Sequence, residues 1–83
     1  MSVTVDFTPN PNALKFTIGR PVGGPITLTP GTDHPLGRAL LEIEGVGSVF
    51  MTGDFVTVSK SPDANWEQIT PRVLSALEAH FKE

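Results

Sequence analysis

No cysteine occurs among the 83 residues, and that absence removes several functions at once. Without thiolates there is no disulfide framework, no zinc–thiolate site and no cysteine-ligated iron–sulfur cluster. The cysteine count carries no sign of an oxidising compartment, so the cytoplasm is the default expectation. No apolar run approaches the ~18 residues a membrane helix needs, and Met1–Asp6 has neither the basic nor the apolar part of an export signal. Basic residues are scarce too: six stand singly against nine acidic ones, for a net charge of -3. With no basic stripe to neutralise phosphates, nucleic acid is not an expected partner. The serines and threonines lack a G-x-S-x-G elbow or a Ser-x-x-Lys pattern, so no nucleophile is legible. Gly45-Val46-Gly47-Ser48-Val49-Phe50 begins like a dinucleotide fingerprint, but Phe50 stands where the third glycine belongs and the segment precedes a strand.

What is present is the pattern of one small folded domain, residues 1–83, with eight prolines and eight glycines lying mostly between periodic segments. Val3, Val5 and Phe7 alternate with polar neighbours, as do Leu14, Phe16 and Ile18, which predicts two strands joined as a hairpin. Gly19 to Thr32 is rich in turn-formers and reads as a loop, with Ile26–Leu28 as a short edge strand. Leu36, Leu40 and Ile43 predict a helix over Pro35–Glu44, capped by Asp33 or Thr32 and stopped by Gly45. Gly53-Asp54 suits a two-residue type II′ turn that sets Met51 against Val56 and Val49 against Val58. Asn65 followed by Gln68 is a capping-box pattern, and Trp66, Ile69, Val73, Leu77 and Phe81 share one helical face over Asn65–Phe81. Pro71 inside that helix predicts a bend or a tightened first turn. The expected fold is α+β and two-layered, in ββαββα order, with two helices on one face of a largely antiparallel, four-stranded sheet.

The turn chemistry is densest in Thr8-Pro9-Asn10-Pro11-Asn12. Each proline fixes its own φ and drives the preceding residue extended, while asparagines close Asx turns, so a stiff loop is expected. Asn10 and Asn12 either only shape that loop or also touch a partner. If Val49, Met51, Val56 and Val58 fill the core, Phe50 and Phe55 must project from the opposite sheet face beside Lys15, Thr17 and Thr57, whereas a three-residue turn would shift the register by one and put both phenylalanines inward. That face, with the Thr8–Asn12 loop, is the expected partner-binding surface. Trp66 reads as core because it shares the stripe of Ile69 and Val73. His34 and His80 read as surface histidines, since a metal or acid–base role would need carboxylates such as Asp33 or Glu83 to join them. No catalytic residue and no metal ligand is assigned.

The string Thr8-Pro9-Asn10-Pro11-Asn12-Ala13-Leu14-Lys15-Phe16, then Ile43-Glu44-Gly45-Val46-Gly47-Ser48-Val49-Phe50, Asp54-Phe55-Val56-Thr57-Val58, Lys60 and Asn65-Trp66, resembles the N-terminal domain of Nfu/NifU-like iron–sulfur cluster assembly proteins. The matches run in order from about Val5 to Phe81. The family's further domain, whose Cys-x-x-Cys pair holds the cluster, has no counterpart in this sequence, so cluster carriage does not transfer and no cofactor is expected. The resemblance implies a non-enzymatic accessory or partner-recognition module that contacts assembly or recipient proteins. Two other classes stay open at this point: a weak iron-binding, metallochaperone-like module using Asp, Glu and His, and a small enzyme of unknown type. The sequence leaves the oligomeric state open.

Overall fold

Each alternating segment becomes a strand in the computed structural model, which describes residues 3–81. In chain order the elements are β1 (Thr4–Phe7), β2 (Ala13–Thr17), β3 (Ile26–Leu28), α1 (Pro35–Leu41), β4 (Val46–Thr52), β5 (Phe55–Lys60) and α2 (Trp66–His80). The strands form one five-stranded sheet in the order β1-β2-β5-β4-β3, and every neighbouring pair is antiparallel. The fifth strand corrects the four-stranded expectation. Ile26–Leu28 pairs with Met51–Val49, and three residues between glycines and prolines are too few to show a periodicity of their own.

The β4–β5 turn carries its positive φ on Gly53 alone, at +57°, the pattern of a type II′ turn. Met51 faces Val56 and Val49 faces Val58. Carried across the sheet, this register gives two inward rows, Val5-Phe16-Val56-Met51-Ile26 and Phe7-Leu14-Val58-Val49-Leu28. Their central members meet Leu36 and Leu40 of α1 and Ile69, Val73 and Leu77 of α2 in one core, so both helices cover the same face.

Helix α1 is capped by His34, not by Asp33 or Thr32. Pro35 stands at the first helical position and forces the residue before it into the extended region, observed at φ -67° and ψ 125°. His34 Nδ1 accepts from the Gly37 N–H at 3.4 Å, and Thr32 Oγ1 accepts from the His34 N–H at 3.2 Å. The helix ends at Leu41, short of the expected Glu44, because Ile43 N–H bonds the Leu40 carbonyl in a tighter turn. Gly45, at φ +98°, then redirects the chain into β4. In α2 the Asn65 side chain caps Glu67 N–H at 2.8 Å, so the cap bond goes to Glu67 instead of Gln68. The helix runs unbroken through Pro71.

Candidate functional site

The Thr8–Asn12 loop is held by its own side chains. Thr8 Oγ1 accepts from the Asn10 N–H at 3.1 Å, and its single proton is shared between the Asn10 carbonyl at 2.9 Å and the carbonyl of Ala13, the first residue of β2, at 3.0 Å. Asn10 Oδ1 accepts from the Asn12 N–H at 2.9 Å, closing an Asx turn. Asn12 Oδ1 accepts from Lys60 Nζ at 3.0 Å, and its carbonyl accepts from the Lys60 N–H at 2.8 Å. These bonds use both asparagines structurally and leave Pro9, Asn10 and Pro11 exposed at the rim.

On the face away from the helices, the register places Asp6, Lys15, Thr57, Phe50 and Thr27 in one row. Thr4, Thr17, Phe55 and Thr52 form the next. Lys15 Nζ lies 4.4 Å from the Phe55 ring centroid, a cation–π contact that covers one side of a half-buried ring. Phe50 is 38% exposed and lies across Thr57 from Lys15. The structure therefore brings Lys15, Phe50 and Phe55 together. It does not bring the loop to Phe55: the loop adjoins Ala13 and Ser59, whereas Phe55 pairs with Thr17 at the other end of the strands.

The loop instead reaches toward α2. Trp66 Nε1 donates to the Pro11 carbonyl at 3.0 Å. Trp66 is half-buried, unlike Ile69 and Val73, and packs against the edge of the core. With Val5, Phe7, Leu14, Pro71 and Leu74 it lines an apolar groove between β1 and α2. Sequence reasoning missed this groove. Five strands at ~4.8 Å span about 19 Å between outer axes, whereas two packed helices have axes only ~10 Å apart, so edge strands fall outside the helical cover. Every residue of β1 is exposed.

His34 and His80 lie with ring centroids 6.4 Å apart. Among the described residues no group of three or more His, Cys, Asp or Glu side chains is placed to hold a metal, and Glu83 lies outside the described residues. An open cleft between Gly45 and the start of α2 is lined by Glu44, Ser61, Asp63, Asn65, Gln68 and Arg72. All six of those side chains are exposed.

The family described as scaffold protein Nfu/NifU N terminal matches residues 3–83. The chain belongs to that family. This Nfu N-terminal domain is 39% identical to the human mitochondrial NFU1 iron–sulfur cluster scaffold homolog, over 98% of the chain and 34% of the human protein. It is 40% identical to a NifU-like protein of Schizosaccharomyces pombe, over 89% of the chain and 31% of that protein. The chain thus spans about a third of the length of these relatives. Among solved structures, the crystal structure of SAV1430 from Staphylococcus aureus superposes with a TM-score of 0.82 at 35% identity, over 94% of this chain and all of that one. The solution structure of a NifU-like protein from Saccharomyces cerevisiae gives 0.79 at 26% identity, over 94% of this chain and 76% of that one.

Proposed function

We propose that this Nfu N-terminal domain serves iron–sulfur cluster assembly as a non-enzymatic partner-recognition module, acting through protein contacts in the cytoplasm. The relatives named as cluster scaffolds support the pathway, and a sequence without cysteine assigns cluster ligation to another chain or domain. The observation that carries the contact surface is Phe50, a large aromatic 38% exposed on a sheet face whose neighbours are threonines, serines and the Lys15–Phe55 pair. An apolar centre in a polar frame is the layout of a protein-binding patch. The partner is an iron–sulfur assembly or recipient protein; Lys15, Phe50 and Phe55 make the contact, with Thr8, Pro9, Asn10, Pro11 and Asn12 at its margin.

The test is a Phe50→Ser, Phe55→Ser double variant compared with the parent by crosslinking in the native host. A folded variant that no longer crosslinks to assembly or recipient proteins supports the reading, and unchanged crosslinking overturns it. Subcellular fractionation tests the location, with recovery in an organelle as the contrary result. Anaerobic reconstitution with iron and sulfide should leave the chain colourless; a stoichiometric cluster would refute the accessory role.

A further inference from the structure

Phe7 is 92% exposed, against 37–40% for Val5, Phe50 and Ile26. It sits on an edge strand whose outer side has no partner among the described strands. Folded proteins blunt uncovered edges by shortness, by charge, by a bulge or by a proline; β1 is short, at four residues, but its inward side carries none of the other devices. The β1–β2 register runs without a break from Thr4 to Phe7, and the one charge in β1, Asp6, belongs to the opposite face. Beside this edge lies the apolar groove floored by Leu14 and walled by Trp66, Pro71 and Leu74.

We propose that β1 and the groove together receive an extended segment of a partner protein, added antiparallel or parallel to β1 as one more strand, with apolar residues at alternate positions and a lysine or arginine beside them. Strand addition supplies backbone hydrogen bonds, and every second side chain of the incoming segment lies over Phe7 and Val5 toward α2. The charge follows from the groove wall. Among the described residues, Glu67 alone of those lining the groove carries a charged-type side chain. Its carboxylate suits a cation. Lys60, the cation beside the Trp66 ring, is already held by Asn12 Oδ1 and the Ser61 carbonyl.

A second copy of the chain fits less well. The symmetric antiparallel register that sets Val5 against Phe7 of the other copy also sets Asp6 against Asp6, and like charges directly opposed are destabilising. A strand of four residues is also a short seam for an interface that must bury roughly 800 Å² per partner. The surface is separate from the flat face carrying Phe50, so it stands or falls independently of the function proposed above.

The probe is a short synthetic peptide with threonine at every second position and, in the other series, valines with one lysine, so that valines and lysine share the face toward α2; it is followed by fluorescence anisotropy and by amide chemical-shift mapping on the whole chain. Shifts at Val5, Phe7, Glu67, Thr70 and Leu74 are expected, with roughly tenfold weaker binding by Phe7→Ser, a variant at a site that contributes no core packing. Glu67→Gln should weaken binding and flatten its salt dependence. Alternate N-methylation of the peptide should abolish binding. Equal affinity of the N-methylated peptide overturns strand addition, and equal affinity of an aspartate-for-lysine peptide overturns the charge assignment. Shifts confined to the Phe50 face, no binding, or concentration-dependent dimerisation through β1 overturn the proposal.

Discussion

Phe7 and Phe16 are the same residue type on paired strands, both on the inward side of the sheet, yet one is 92% exposed and the other fully buried. Their contrast is the difference between the two sides of the sheet's first hairpin. Phe16 faces Val56 and lies beneath the helices; Phe7 faces Leu14 from outside their cover. Alternation assigns a side chain to a face of the sheet, whereas burial depends on what that face meets.

The sharpest break of the comparison is therefore a matched pair of truncations. Phe16→Ala should cost about 3–5 kcal/mol by denaturant unfolding, while Phe7→Ala should change stability by less than ~0.5 kcal/mol. Comparable costs would place Phe7 under cover in solution. Trp66→Ala should fall between them, at about 2 kcal/mol, because it forfeits part of an aromatic's burial and the hydrogen bond to Pro11. Asn65→Ala should cost ~1 kcal/mol through loss of the cap on Glu67 N–H, measured by the same unfolding curves. A value near zero would mean that packing by Ile69, Val73 and Leu77 alone sets the start of α2.

The features that could be read from the sequence are those set by local chemistry. Gly53-Asp54 specified a turn, the turn specified the register, and the register put Val49, Met51, Val56 and Val58 inward and Phe50 and Phe55 outward. The helical stripe of Ile69, Val73 and Leu77 was legible for the same reason, since a period of 3.6 has few alternatives over so long a segment. What escaped depended on neighbours distant in sequence. Ile26–Leu28 is the short edge strand that was expected, but its pairing with β4 in the same sheet, which makes five strands instead of four, was not legible. Trp66 shares the angular position of the core stripe, but periodicity reports direction around a helix axis and not position along it. As the first residue of α2 it meets a loop carbonyl and the groove. The His34 cap was readable in principle: a proline at the first helical position makes its predecessor extended, and the imidazole then supplies the acceptor.

The same logic separates the parts of the expected contact surface. Lys15, Phe50 and Phe55 share a face because strand register is a short-range rule, but the Thr8–Asn12 loop was joined to them only by its position next to β2. Its hydrogen bonds run to Lys60 and Trp66 on the helix side. The two asparagines thereby shape the loop, and the loop supports the groove's indole wall.

That support also gives the molecule an optical property. Trp66 is the one tryptophan in a chain without tyrosine, so the long-wavelength ultraviolet emission comes from a single ring whose N–H is fixed to the Pro11 carbonyl. Dehydrating the groove would move that emission to the blue, and loosening the loop would move it to the red. A partner seated only on the Phe50 face would leave the colour unchanged, so one unlabelled spectrum distinguishes which side of the sheet has been occupied.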